Sequence, residues 1–449
     1  MDPTKAGGSR EAWRGRPAGR ETDRQIAVLG IAGAAGFLAL AAAVALIEGL
    51  GASGAGGSGV SIAAWLPLHL ALAGGATTAI AGVMPFFVGA LAGAPPADAR
   101  LRAASVLLVA AGALGVAARG VAPALGWVPA AGGLLFLAGI AAVALATHRA
   151  GRRGMLARRP VVSAAYALAL LNVGVGGFIG LLAVAGWAPV VEGWGTLKLA
   201  HAWANLLGFV SLVVVGTLLH FLPTVVAARI APRRSAVLAV AGIGAGVPSV
   251  VLGSLLVAAG DAGPAGTLGD GLARLGALAT LGGAFALVAE TIAVTRSRAG
   301  WTTDAAWHRF SGGALVAAVG WFAIGTAAAA VPVIAGGPGG AWVTARVIPS
   351  LALGWVVQVL AGSWTHLVPA IGGGGPAGHA IRRRILAQGA TARLAVLNAG
   401  AALVAVGWPA GLAPVAAAGM GLFALGLGWS VLLVARALRA MTTSPPARA

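Results

Sequence analysis

The chain has 449 residues, of which 59% are hydrophobic and 9% are charged, and its mean hydropathy is +0.92. Soluble domains carry about 25% charged residues, so this composition excludes a soluble globular protein and predicts an integral membrane protein. The chain has no cysteine, which excludes disulfides, iron–sulfur clusters and thiolate metal sites. The formal charge of +19 is explained by the basic bias of cytoplasmic loops. We therefore expect the lipid bilayer, and not nucleic acid, as partner.

In chain order, residues 1–24 are polar and predict a disordered cytoplasmic tail. Residues 25–436 then form one transmembrane domain, and 437–449 form a second cytoplasmic tail. Each apolar segment of this domain is long enough to span a bilayer. The twelve segments are 25–48, 62–92, 101–118, 121–146, 161–187, 197–227, 236–259, 272–295, 310–335, 344–371, 391–408 and 412–435.

The distribution of Lys and Arg predicts the orientation of these segments. If the twelve alternate in direction, all basic residues except four fall on the side that holds both termini. The exceptions are Arg119, Lys198, Arg274 and Arg346. Because short cytoplasmic loops are enriched in Lys and Arg, this bias predicts cytoplasmic N and C termini.

Segment 6 is the most unusual span, since it carries two histidines, His201 and His220. Along a helix they are separated by roughly 28 Å, so one would lie near each face of the hydrocarbon core. An ionisable residue inside a membrane helix is costly and indicates a functional site when it has a partner.

Segments 2, 6 and 10 share a local pattern. Gly216 to Pro223 and Gly362 to Pro369 both read G-x-x-x-H-x-x-P, and segment 2 has Gly82-Val-Met-Pro85 in the equivalent place. The interval is four segments each time. The predicted architecture is therefore all-α, with twelve transmembrane helices in three four-helix repeats, as many transporters also contain internal repeats.

Four histidines are candidate ligands because they fall at two matched depths. His69 and His201 lie toward the outer side, and His220 and His366 toward the inner side. Imidazole is a common axial ligand of haem and a good ligand for copper or zinc. The alternative is that each histidine only hydrogen-bonds to a backbone carbonyl or hydroxyl of a neighbouring helix.

The other histidines are expected to have no such role. His148 and His379 are predicted in solvated loops, and His308 at the interfacial start of segment 9. Met84 is a conceivable soft copper ligand, although a lone methionine usually only packs. Glu48 and Glu290 are expected at helix ends, which leaves no carboxylate at the midplane for a proton relay.

These features resemble those of the haem–copper oxidase subunit I superfamily, in which twelve helices carry histidines on helices 2, 6 and 10. The local resemblance is best in segment 2, where His69 precedes Gly82-Val-Met84-Pro85, and in the AHAWANLLGFVSLVVVGTLLHFLPTV run of segment 6. It extends to shorter members of the superfamily, the NnrS-type haem and copper proteins. The resemblance implies a bacterial inner-membrane protein that binds haem b or copper and associates with other respiratory or copper-oxidase subunits.

Departures from the oxidase pattern restrict the activity. Segment 7 has no histidine and segment 10 has one, so the binuclear haem–copper centre and oxygen reduction are not expected. The leading hypothesis is a haem- or copper-binding protein in respiratory electron transfer or in nitrogen-oxide or copper handling, with His69, His201, His220 and His366 as ligands. Two alternatives stay open, which are a permease for a small neutral solute and a non-catalytic structural partner of a redox complex.

Overall fold

The computed structural model describes residues 17–53, 65–92, 97–121, 124–151, 160–231, 233–260, 263–298, 308–371 and 375–440. Within these ranges the secondary structure is helical, and twelve helices are long and apolar enough to cross a membrane, as predicted. The protein is a multi-pass membrane protein of the all-α class. Most of the predicted tails, residues 1–16 and 441–449, lie outside the described ranges, as does most of the loop after the first span.

Nine of the twelve spans are continuous α-helices. They are α1 (Pro17–Ser53), α3 (Ala99–Val121), α4 (Trp127–Gly151), α5 (Pro160–Val184), α7 (Arg234–Ala259), α8 (Pro264–Arg296), α9 (His308–Gly336), α11 (Ala390–Gly407) and α12 (Ala413–Arg439). Two short helices, Ala188–Glu192 and Gly375–Leu386, lie in the connections before α6 and α11.

The other three spans each contain a π-helical segment. In α2 it is Leu70–Ala76, between Trp65–His69 and Thr77–Ala92. In α6 it is Trp203–Ser211, between Trp194–Ala202 and Leu212–Val225, and in α10 it is Pro349–Val357, between Thr344–Ile348 and Gln358–Ile371. Such segments are rare and occur frequently at functional sites. They fall in the helices that share the sequence pattern, although the three four-helix repeats themselves stay a prediction.

Helices α6 and α10 form the interior of the bundle. In an 18-residue apolar stretch of each of them, 83% of the residues are buried. The corresponding share is 28% in α5 and 33% in α4 and α12. The π-helical segments of α6 and α10 are joined where Trp355 Nε1 donates to Ser211 Oγ at 3.0 Å. The two helices that carry three of the four candidate histidines, His201, His220 and His366, are therefore the most buried spans.

Glycine allows three helix pairs to pack closely around this interior. A Cβ added to Gly115 of α3 would lie 2.7 Å from Gly132 Cα of α4. A Cβ added to Gly242 of α7 would lie 2.8 Å from Gly283 Cα of α8. One added to Gly400 of α11 would lie 2.6 Å from the backbone nitrogen of Phe423 in α12. Small residues at such crossings allow the backbone-to-backbone packing that holds membrane helices together.

Several predicted boundaries were wrong. Helix α1 begins at Pro17, inside the predicted tail, and α8 begins at Pro264 instead of 272. The added turns of α8 contain Asp270, which accepts from Arg274 Nε at 2.6 Å, while Arg274 Nη1 also donates to the carbonyl of Ile334. Because these charges are paired within the fold, the helix can continue through them. A prediction based on continuous apolar residues therefore places the start of α8 too late.

Three predicted surroundings also need correction. His148 lies in the last turn of α4 and His379 in the helix Gly375–Leu386, so neither is in a loop. Glu290 is not at a helix end but buried within α8, where Arg233 Nη1 donates to it at 2.9 Å. The α7–α8 pair thus satisfies this carboxylate inside the protein.

Candidate ligand site between α2 and α6

A cavity of about 480 Å³ opens in the half of the bundle that the charge bias predicts to face outward. Its walls come from α2, α3, α4, α5, α6 and the start of α10, and are largely apolar. The polar and aromatic residues that line it include Trp65, His69, Arg119, Trp194, Lys198, His201 and Asn205. An apolar cavity with a few convergent polar groups is typical of a small-molecule or cofactor site.

The structure brings His69 and His201 together across this cavity. Their ring centres are 6.2 Å apart, and the two ring planes are inclined by only 21°. Each ring is also backed by a tryptophan of its own helix, with 4.3 Å between the centres of Trp65 and His69 and 5.9 Å between those of Trp194 and His201. The tryptophans restrict the rotation of both imidazoles.

Hydrogen bonds to the backbone orient both imidazoles. His69 Nδ1 lies 2.6 Å from the carbonyl oxygen of Trp65, and His201 Nδ1 lies 2.9 Å from that of Gly176 in α5. A carbonyl oxygen only accepts, so these contacts assign a proton to each Nδ1 and, in a neutral ring, leave the lone pair on Nε2. Metal-ligating histidines in proteins commonly show this arrangement, with the second nitrogen donating to a carbonyl.

Neighbouring residues of α5 and α6 fix the position of His201. Asn205 Nδ2 donates to the carbonyl of His201 at 2.8 Å, one turn further along α6. In α5, a Cβ added to Gly180 would lie 2.8 Å from His201 Cε1, and one added to Gly176 would lie 2.6 Å from Asn205 Nδ2. Glycine at these two positions therefore makes room for the ring and its neighbour.

The rim of the cavity carries two cations, Arg119 from α3 and Lys198 from α6. Both side chains are exposed, and neither forms an ion pair with any residue in the described ranges. They are two of the four basic residues on the outer side of the predicted topology. An anionic group at the mouth of the cavity would therefore meet uncompensated positive charge.

The inner pair is less clearly assembled. His366 packs edge-on against Phe221, the residue after His220, with ring centres 5.2 Å apart and planes at 90°. The two histidines therefore lie at the same level of the bundle, on adjacent helices. A smaller cavity of about 110 Å³ between α1, α2, α6 and α10 is lined by Met84 and Thr217 but by neither histidine. A ligand shared by His220 and His366 stays a prediction.

Among the described residues, no three His, Cys, Asp or Glu side chains come together in a way that could hold a metal ion. Met84 is buried in α2 and lines the smaller cavity. The outer site accordingly offers two nitrogen ligands and no third one from these residue types.

Sequence reasoning found His69 and His201, but not what surrounds them. The carbonyl of Gly176, the two tryptophans and the rim cations all come from positions that only the folded bundle brings together. One signal was available for the cations, since Arg119 and Lys198 stand on a side that is otherwise almost free of basic residues.

Comparison of the chain with models of protein families gives no match, and comparison with curated proteins also gives none.

Proposed function

We propose that the chain is a haem-binding membrane protein that carries out electron transfer, with haem b held between His69 and His201. The observation that supports this most directly is the geometry of the two rings. Metal–imidazole bonds of about 2.0 Å on opposite sides of one ion hold the ring centres roughly 6.3 Å apart. The ring centres of His69 and His201 are 6.2 Å apart, close to this separation.

The ligand set favours haem over a bare metal ion. Copper or zinc sites in proteins usually take three or four protein ligands, whereas haem iron needs only axial ones. Two imidazoles with Nδ1 bonded to carbonyls would leave two Nε2 atoms to hold the iron. Because the chain has no cysteine, the haem would be bound without a thioether link, as haem b is.

The cavity also suits the porphyrin ring and the carboxylates of haem b. A largely apolar volume of about 480 Å³ with aromatic walls fits a porphyrin ring, and Arg119 and Lys198 at its mouth fit carboxylate side groups.

When bound, haem supplies a reversible one-electron couple. His69 and His201 would hold the iron with their two Nε2 atoms, so no position would stay open for an oxygen or nitrogen-oxide ligand. This arrangement favours electron transfer over the handling of nitrogen oxides or copper. It also agrees with the lack of histidine in α7. We propose the bacterial plasma membrane as location and other respiratory subunits as electron partners.

Spectra of the purified protein test this proposal. We expect a Soret band and the sharp α-band of a reduced six-coordinate haem, with about one haem per chain by pyridine haemochrome assay. His69→Ala and His201→Ala should each lose these bands or convert the haem to a five-coordinate form. His148→Ala, an exposed histidine on the opposite side, is the matched control and should keep the wild-type spectrum. Protein that contains copper and no haem, or neither, would contradict the proposal.

A further inference from the structure

The smaller cavity, of about 110 Å³, lies where α2, α6 and α10 meet. Each of these helices lines it with five residues, and the five positions have the same spacing in all three helices. One of these positions holds Val83 in α2, Thr217 in α6 and Ser363 in α10. Each of the three residues directly follows the first glycine of the sequence pattern that the helices share. The shared pattern therefore coincides with the wall of one cavity.

The glycines of the pattern explain how the three helices come to present the same side to the cavity. A Cβ added to Gly82 would lie 2.7 Å from the backbone of α1, and one added to Gly216 would lie 2.9 Å from a side chain of α5. One added to Gly362 would lie 3.2 Å from α9. Each glycine thus packs on the helix that precedes its own in the chain. The next residue is turned by about 100° around the helix axis, and this turn directs it to the cavity.

The size and lining of the cavity restrict what it can hold. Most of its walls are hydrocarbon, and no charged residue from the described part of the chain lines it. Apolar cavities of roughly 150 Å³ in proteins take up benzene or xenon, so this volume suits a molecule of about four or five non-hydrogen atoms. An ion would lose its hydration without gaining a partner. The cavity is therefore suited to a small neutral molecule.

Polar groups of the wall differ in whether they are satisfied. Thr217 Oγ1 donates to the carbonyl of Val213 at 2.8 Å and lies 3.0 Å from Tyr166 Oη, so it is already bonded twice. In contrast, Ser363 Oγ and Trp364 Nε1 form no hydrogen bond with any residue that the structure describes. Trp364 is only 7% exposed. Because a buried donor without an acceptor is unfavourable, these two groups favour a ligand that carries an acceptor atom.

We propose that this cavity binds one small neutral molecule with a short apolar body and one hydrogen-bond-accepting oxygen, the chemistry of a short-chain alcohol or ketone. The hydrocarbon walls hold the body, and Ser363 and Trp364 donate to the oxygen. This cavity shares no lining residue with the cavity of His69 and His201. The proposal therefore does not depend on haem binding.

Crystals of the full chain soaked in bromoethanol test the proposal, because the anomalous scattering of bromine locates the probe. Bromopropane, which has a similar shape without the oxygen, is the comparison probe. We expect a bromine peak inside the cavity with both. Ser363→Ala should raise the concentration of bromoethanol that half-saturates the peak by about five-fold, as for the loss of one hydrogen bond. The same variant should leave bromopropane within about two-fold of wild type.

Thr217→Val is the matched control, since it removes a hydroxyl from the equivalent position of α6 that is already bonded within the protein. It should leave both probes within about two-fold of wild type. Val83→Phe, at the equivalent position of α2, should fill the cavity and remove both peaks. The proposal would be overturned by the lack of a bromine peak in the wild-type cavity, by an equal effect of Ser363→Ala on the two probes, or by an equal effect of Ser363→Ala and Thr217→Val on bromoethanol.

Discussion

Each imidazole of the outer pair has one nitrogen bonded to a backbone carbonyl, and this bond determines what the other nitrogen offers to a ligand. His69 uses a carbonyl of its own helix, whereas His201 uses that of Gly176 on α5. The orientation of His201 therefore depends on how closely α5 and α6 approach, and a change on α5 should affect the site without altering any ligand.

Gly180→Ala provides that change. The new methyl group would lie 2.8 Å from His201 Cε1, which is too close for an undisturbed ring, so the imidazole must shift. We expect haem occupancy to fall by about ten-fold, as for loss of a residue that orients a ligand, measured by haemochrome assay.

Gly174→Ala in the same helix is the control, because a Cβ at that position has no atom within 4 Å. It should keep full haem content. Equal haem content in both variants would show that the position of His201 is irrelevant to binding.

The sequence identified the individual histidines as candidate ligands by their depth in the predicted spans. It could not show that His69 and His201 face each other, because the rotation of each helix about its axis depends on packing. The π-helical segments next to both histidines change that rotation, and no residue pattern in Leu70–Ala76 or Trp203–Ser211 predicts them.

At the scale of elements, pairs of adjacent helices enclose the interior spans. The pair α7–α8 is an example, since a Cβ added to Gly276 of α8 would lie 2.6 Å from the Gly246 carbonyl oxygen of α7. High glycine content was evident from the sequence, but the sequence could not separate glycines at crossings from those that face lipid.

Gly276→Ala should therefore destabilise the protein. The added methyl forces α7 and α8 apart, at a cost of about 1–3 kcal/mol for overpacking, and we expect a clearly lower melting temperature by tryptophan fluorescence in detergent.

Gly282→Ala, on the same helix, faces open space. It should leave the melting temperature unchanged or raise it slightly, because alanine favours a helix interior by roughly 0.5–1 kcal/mol over glycine. If both variants melt alike, close packing at this crossing does not limit stability.

At the scale of the whole molecule, the number of spans follows from the chain's apolar runs, and the charge bias predicts their direction. The short helix Gly375–Leu386 was not predicted, because its run of arginines is typical of a cytoplasmic loop. Its apolar contacts with α12 were invisible without the fold.

The lack of cysteine allows a direct test of this orientation, since a single introduced thiol has no background. Gly195→Cys at the start of α6 should react with a membrane-impermeant maleimide in intact cells. Arg234→Cys at the start of α7 should react only after permeabilisation. The opposite pattern would invert the topology and place the histidine cavity on the cytoplasmic side.

We propose that His69 and His201 coordinate one haem iron in the orientation seen here. Low-temperature electron paramagnetic resonance of the oxidised wild-type protein measures this directly, because the low-spin signal depends on the angle between the two axial ring planes. An angle of 21° predicts a rhombic low-spin spectrum typical of near-parallel imidazoles. A high-spin signal, the highly anisotropic signal of perpendicular rings, or no haem signal would contradict this coordination.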